Sequence, residues 1–416
     1  MNAVLINIGD ELLLGQVLNT NAQWLAQALL PIGGQVKEMR VIADDPNHLL
    51  EVLPQALSMA DIVLLTGGLG PTRDDMTKEA LARYFGVEMV FSQSCWAHMQ
   101  TLFARFGKRL EAAHRVQCFV PANAELLPNK LGTAPGMWFE IDGKVVVALP
   151  GVPVEMRELM EQQVLPRLTA YFQPDAILSR TIGTVGVAES ELARRLESFE
   201  QQLPPQLQLA YLPNLFEVQL RLTASGADQT YLRALLDEYT QRLKQLLGPE
   251  VVYSTQGETL PQALGQMLYR QGLTIATAES CTGGYVGHLL TSVPGASNYY
   301  LGGVVAYANH IKVNVLGVAM ADLHAHGAVS EPVARQMAAG VRRLTGAVLS
   351  VATTGVAGPT GGTADKPVGT VWIAASLGSK TVAKKYVFGK RRMLNIEMSS
   401  VAALNTARLL LLELPS

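Results

Sequence analysis

Residues 61–68 read DIVLLTGG, a short β-rich run that stops at a pair of glycines, and the helical texture TKEALARYFG follows at 77–86. The same pattern opens the chain, where AVLINIG (3–9) precedes NTNAQWLAQALL (19–30), and KVVVALPG (144–151) is a third such run. Strand, glycine and helix in alternation predict an α/β sheet over residues 1–170 with its strand-to-helix loops along one edge. That edge is where such sheets bind ligands.

Downstream the texture changes. Over 175–252, RTIGTVG (180–186), ESELARRLESF (189–199), LQLAYLPN (207–214), FEVQLRLTASG (216–226) and the charged TYLRALLDEYTQRLKQLL (230–247) predict a small α+β module with antiparallel strands. A third segment, 257–416, opens with the helix LPQALGQMLYRQG, whose Gly272 is a C-cap signal. Strand-like TIATAES (274–280) leads through a glycine turn into the helix YVGHLLTS (285–292), and VLSVATTGVAG (348–358) and GTVWIAAS (369–376) are further β-rich runs. RRMLNIEMSSVAALNTARLLLLEL (391–414) reads as a long amphipathic helix.

The chain has 416 residues, a length that suggests two or three domains. Lys+Arg 33 against Asp+Glu 35 gives a net charge of −2, so no basic field attracts nucleic acid. With 49% apolar and 16% charged residues the composition is that of packed globular domains. The start MNAVLINIGDELLLG reads as a first strand rather than a signal peptide, and no run is long enough to span a bilayer. Cys95, Cys118 and Cys281 are far apart, without metal-ligand spacing, and fit a reducing cytoplasm.

The stretch TAESCTGGYVGHLL (277–290) is the most informative for chemistry. A serine between a strand and a Gly-Gly turn into a helix sits on a sharp bend, with helix-opening N–H groups at hand for an anion or oxyanion. Ser280 is thus either a nucleophile or a helix N-cap. A serine hydroxyl needs a base. His288 falls within the next helix, and His310, His324 and His326 lie in a loop-like polar region. Lys312, which ends LGGVVAYANHIK (301–312), is the alternative base if burial disfavours its charge, and a solvated surface residue otherwise. Tyr307 in the same run could relay or orient a proton. The loop ATTGVAGPTGGTADKPVG (352–369) suits a phosphate or is a connector, and lacks the Walker spacing. In the first domain, IGDELLLGQVLNTN (8–21) and TGGLGPTRDDMTKEAL (66–81) place Asp10, Asp74 and Asp75 beside glycine turns. Those carboxylates either cap the following helix or hold a hard divalent cation beside a phosphate.

Taken in order, IGDELLLG, TGGLGPTRDD, LGTAPG, LPGVPVEM, AESCTGG, GGVVAYANHIK, HGAVSEPVA, TTGVAGPTGG and KPVGTVWIA resemble the competence/damage-inducible protein CinA family over essentially the whole chain. The resemblance implies a multidomain α/β protein: an N-terminal MogA/MoaB-like α/β sandwich (1–170), a small KH-like α+β module (175–252) and a C-terminal α/β CinA domain similar to the PncC amidohydrolases (257–416). For the last it implies nicotinamide mononucleotide amidohydrolase activity without a cofactor. Ser280 would be the nucleophile, Lys312 its base and Tyr307 an assisting hydroxyl, with Gly283, Gly284, Thr354, Gly355, Gly358 and Arg391 as substrate contacts. One departure is that Gly389-Lys390-Arg391 stands where the family has Gly-Asp-Arg, and Asn395 replaces a second arginine. Arg392 is the neighbour able to take over from Arg391.

For the N-terminal domain the resemblance implies an ADP-ribose pyrophosphatase site with Asp10, Glu11, Gly67, Gly68, Gly70, Thr72, Asp74 and Asp75, and a divalent metal ion on Asp75 and Asp10. The alternative is a domain that only binds a ligand or assembles the dimer, since fold does not settle function. The family also implies a homodimer, with small nucleotides as its partners and no membrane. Gly183-Thr184-Val185-Gly186 matches the letters of the nucleotide-clamping KH loop at a strand-like position, which argues against nucleic acid.

Overall fold

The computed structural model describes residues 1–72, 75–105, 107, 112–173 and 175–414. The chain forms two compact units, Met1–Leu178 with Ser225–Leu232 and Ser179–Ala224 with Arg233–Ser416.

In the first unit, β1 (Asn2–Ile8), β2 (Gln35–Ile42), β3 (Ile62–Thr66), β6 (Glu125–Leu127), β7 (Gly136–Ile141) and β8 (Lys144–Leu149) form one sheet in the order β2-β1-β3-β8-β7-β6. The short strands β4 (Met89–Phe91) and β5 (Phe119–Pro121) pair separately. The pairs β1–β2, β1–β3 and β3–β8 are parallel, and β7 and β6 add antiparallel at one side. Side chains alternate across a strand. Val4, Ile6, Val63, Leu65, Val146 and Ala148 therefore enter one core while Ala3, Leu5, Ile62, Leu64, Val145 and Val147 enter the other. Both faces being covered explains why these strands read as unbroken apolar runs.

β9 (Ala176–Val185), β10 (Leu207–Asn214), β11 (Glu217–Gly226) and β12 (Val252–Ser254), which lie in the second unit except for residues 176–178 and 225–226, form a sheet in the order β10-β11-β9-β12. Gly183 lies within β9, on a strand and not in a helix–helix loop. A second sheet, β14-β13-β15-β16-β17, is built from β13 (Ile275–Glu279), β14 (Tyr300–Val305), β15 (Leu349–Gly355), β16 (Thr370–Leu377) and β17 (Lys380–Val387). β13 is parallel to β14 and β15, and β16 and β17 continue antiparallel. The helix Glu331–Thr345 packs on one face through Val333, Met337 and Val341, and Leu260–Gln271 and Arg392–Leu412 pack on the other.

The last helix corrects an expectation. It is buried on most sides rather than amphipathic, and Ser399, Ser400, Thr406 and Arg408 are among its buried residues. Its hydroxyls donate back to carbonyls one turn earlier, from Ser399 to Asn395 and from Thr406 to Ala402, so polar letters are satisfied inside the helix. Arg408 donates to Asn405 Oδ1 and to the carbonyls of Pro249 and Glu250, tying this helix to the end of the middle module. His310 lies in the helix Asn309–Asn314, and His324 and His326 in the helix Met320–His326, so none of the three is in a loop. No helix among the described residues is long and apolar enough to cross a membrane.

Candidate active site

Parallel pairing puts the ends of β13 and β14 side by side, Glu279 opposite Val305. Ser280 follows the first and Ala306-Tyr307 follow the second. The helix Asn309–Asn314 then turns Lys312 back under both ends, where it is 1% exposed. Lys312 Nζ lies 3.1 Å from Ser280 Oγ, 2.7 Å from the Ala306 carbonyl and 3.2 Å from the Tyr307 carbonyl. Burial lowers the Lys312 pKa, so the amine is pushed towards its neutral form. A neutral amine has two N–H bonds and one lone pair. In that form, with the two carbonyls accepting its N–H bonds, it would have a lone pair for the Ser280 hydroxyl; as an ammonium it donates to all three oxygens. No histidine is hydrogen-bonded to Ser280 among the described residues. The Cys281 thiol next door is buried and pushed up to about 12, which leaves it a packing group.

Ser280 is not a helix cap. The helix Tyr285–Thr291 has Gly284 at its N-cap, in a left-handed conformation (φ 104°) that favours glycine. Its opening N–H groups are not offered to an anion as expected. The buried carboxylate of Glu279 accepts from Gly284 N at 2.9 Å, Val286 N at 3.0 Å and Gly287 N at 2.8 Å, and from Thr282 Oγ1 at 2.7 Å. Gly283 N donates to the Ser280 carbonyl. Gly283 and Gly284 therefore shape the turn, and the anion that neutralises the helix start is a side chain of the protein itself.

Tyr307 is 60% exposed, and its hydroxyl accepts from Arg392 Nη2 at 2.9 Å rather than meeting Lys312. Arg392 also donates through Nη1 to the Gly358 carbonyl at 2.9 Å. Arg391, the expected contact, is the exposed N-cap of the last helix, so geometry favours its neighbour. Asn395, one turn on, donates to the carbonyls of Ala357 and Gly389. Thr354 is buried and its hydroxyl donates to the Ala328 carbonyl, which commits the proton expected for a substrate. Gly355 closes β15 against Val371, and Gly358 sits against Val368. The serine, its amine, Tyr307 and Arg392 thus form one connected set, while Thr354 and Gly355 make their contacts elsewhere, with Ala328 and Val371. A separate cavity of about 610 Å³ in this unit, lined by Arg195, Phe216, Tyr386 and Asn405 among others, is lined by none of them.

The first unit carries a second site. The ends of β1, β3 and β8 border a cavity of about 510 Å³ lined by Gly9, Glu11, Asp44, Gly67, Gly68, Gly70, Thr72, Asp75 and Glu155 among others. Gly67 is required there, because a Cβ would lie 2.2 Å from the Ile8 carbonyl oxygen. Thr77 Oγ1 donates to the Gly67 carbonyl and pins the loop to the following helix. Asp75 accepts from Thr72 N and Oγ1 and lies against Gly70, and it does not cap the helix Thr77–Phe85. Asp10 starts a short helix after β1, where its N–H donates to Asp44. Asp74 lies outside the described residues. Asp44 and Glu155 are the acids that sequence reasoning missed. Burial raises the Asp44 pKa; the hydrogen bond from Asp10 N opposes the rise, and the charges of Asp10, Glu11 and Asp75 add to it.

Three family descriptions match consecutive parts of the chain: probable molybdopterin binding domain over 4–170, damage-inducible protein CinA KH domain over 179–252, and CinA C-terminal domain over 257–411. A CinA-like protein of Cytophaga hutchinsonii is 45% identical over 98% of this chain and 97% of its own. Another, of Chloroherpeton thalassium, is 42% identical over 99% of both. The crystal structure of the protein CinA from Thermoplasma acidophilum is 34% identical, covers 39% of this chain and 95% of its own, and has a TM-score of 0.37. With full-length relatives and all three domain descriptions in one order, the chain belongs to the CinA family.

Proposed function

We propose that the second unit hydrolyses the carboxamide of nicotinamide mononucleotide to nicotinate mononucleotide and ammonia. The observation that carries this reading is the buried Lys312 amine 3.1 Å from Ser280 Oγ, an activated hydroxyl beside a base of lowered pKa. Lys312 takes the Ser280 proton as Oγ bonds to the carboxamide carbon. The lysine then returns that proton to the departing nitrogen, ammonia leaves, and water releases the acid by the same route in reverse. Arg392, fixed by Tyr307 and Gly358 and exposed at the rim, supports binding of the substrate phosphate. Ammonia release by the full-length protein, compared with Ser280→Ala and Lys312→Ala, tests the reading. Turnover surviving in either variant, with folding intact, removes it.

For the first unit we propose ADP-ribose pyrophosphatase activity assisted by a divalent metal ion. The donors bordering the cavity are carboxylates, the hard oxygen ligands such an ion takes. No three His, Cys, Asp or Glu side chains gather as a ready cage among the described residues, so such an ion would have to take the rest of its shell from diphosphate oxygens and water. Asp75 lines the cavity and would hold it, with Asp10, which does not line the cavity but is hydrogen-bonded to the lining Asp44, as the second expected ligand; when bound the ion neutralises diphosphate charge. Thr72 fixes the Asp75 carboxylate, and the Gly67–Gly70 turn borders the cavity in which a diphosphate would sit. Cleavage that persists in Asp75→Ala, or is absent from wild type with every common divalent ion, leaves the first unit as a binding or assembly domain.

A further inference from the structure

We propose that Glu279 is a positioning residue that sets the distance between Ser280 and Lys312. This deepens the deamidase reading and rests on it. Glu279 is 2% exposed and is the last residue of β13, so its two ends face the two halves of the site. Its side chain holds the nucleophile's half through the four donors of the turn and helix at 282–287. Its carbonyl holds the base's half, accepting from Ala306 N at 2.7 Å, and Ala306 and Tyr307 supply the carbonyls that tether Lys312. Thr282 completes the frame. Its hydroxyl meets Thr353 Oγ1 at 2.7 Å, and the Thr353 carbonyl accepts from Ser280 N at 2.9 Å.

The chemistry of the side chain matters as much as its shape. Three of the four donors are backbone N–H groups, which an acceptor-only carboxylate satisfies on both oxygens. A glutamine of the same size places an NH₂ against one of them. The turn must then shift, and the Ser280–Lys312 distance shifts with it. A misplacement of about 1 Å at reacting groups costs about a hundredfold in rate.

The test uses the full-length protein as wild type, Glu279→Gln, Glu279→Asp and Ser280→Ala, each with its folded fraction measured by thermal unfolding. Two readouts are compared, steady-state deamidation and labelling of Ser280 by a fluorophosphonate followed by intact mass. In the label, the Ser280 Oγ–P bond forms, fluoride leaves, and the serine proton passes to Lys312. Glu279→Gln is expected to lower kcat and the labelling rate by about tenfold to a hundredfold per folded molecule, with KM within about twofold. The pH at which the rate falls should not move, because the tethers of Lys312 are intact. Glu279→Asp, which keeps the charge on a shorter arm, should restore part of the loss. A folded Glu279→Gln enzyme within about twofold of wild type in both readouts overturns the proposal, as does a loss explained entirely by the folded fraction. If Glu279→Gln does not fold, Thr282→Val removes one donor and should give a kcat-only fall of about threefold, and an unchanged kcat overturns the proposal. A wild type that neither deamidates nor labels overturns the Ser280–Lys312 reading itself.

Discussion

The two units solve the same local problem in opposite ways. Each ends a buried parallel strand in a turn, Glu279–Gly284 in one and Thr66–Gly70 in the other, and each then starts a helix. In the second unit the protein fills the turn with its own carboxylate, so those donors are spent, and Lys312 Nζ lies 3.1 Å from Ser280 Oγ. In the first unit the carboxylates border an open cavity, and the Asp44 pKa is raised by burial and by three acidic neighbours. On the readings proposed above, the difference separates a site whose chemistry would be built into its hydrogen bonds from one that would gain by binding positive charge. A strand–glycine–helix pattern alone does not distinguish them.

The hardest test of that contrast is removal of the built-in pair. Ser280→Ala and Lys312→Met should each lower kcat for the deamidation by about 10⁴-fold or more, since members of a nucleophile–base unit fail together. Both variants should keep full ADP-ribose cleavage. Loss of both activities in either one would break the division into two independent sites.

The pH profile sharpens the same point. The Lys312 pKa is lowered by burial, and in the proposed mechanism the base acts as the neutral amine. The deamidase kcat/KM should therefore rise with pH, falling about tenfold per unit on the acid side of a limb that lies below the ordinary lysine value of about 10.4. The limb should be absent from ADP-ribose cleavage, measured on the same preparation with the metal ion saturating. A limb at the ordinary lysine value would mean that Lys312 is solvated when substrate enters.

Asp75→Ala probes the open site. It removes the carboxylate held by Thr72, and ADP-ribose cleavage should fall by about a hundredfold with deamidation unchanged. Partial recovery at higher metal concentration would assign the loss to ion binding. An equal loss at saturating metal would assign it to the reacting groups instead.

Much of this contrast could be read from the letters, and the rest could not for physical reasons. The unbroken runs at β1, β3 and β8 announced strands buried on both faces, and the glycines that end them marked the ligand edge. Ser280 and Lys312 could be chosen from their settings, but their contact depends on β13 and β14 pairing in register, which is long-range. The role of Glu279 was hidden because a carboxylate at a strand end is usually solvated. Its signal was an acid closing the otherwise apolar and hydroxyl run IATAE, five to eight residues before the helix N–H groups that it binds. The last helix was misjudged for the reverse reason: serine and threonine that bond back to their own helix look polar in sequence and behave as packing groups in place. Between the two arginines only Arg392 has its hydrogen bonds tied to the site, to the Tyr307 hydroxyl and the Gly358 carbonyl, a choice that depends on side-chain contacts across the fold rather than on the letters.

The smallest expected effect lies in the pin beneath the open site. Thr77 is 3% exposed, and its hydroxyl donates to the Gly67 carbonyl at 3.0 Å, the one side-chain bond joining that glycine turn to the helix behind it among the described residues. Thr77→Val keeps the shape and removes the donor, leaving a buried carbonyl to lose about 1 kcal/mol. Thr77→Ser keeps the bond. Thermal unfolding of the first-unit transition should drop for valine and not for serine, and the KM for ADP-ribose should rise only modestly because the Gly67–Gly70 backbone is held from the other side by the Leu149 carbonyl, which accepts from Gly67 N at 3.1 Å. The same change leaves the second unit untouched, so a shift in deamidation on Thr77→Val would mean that the two turns, so differently filled, are coupled.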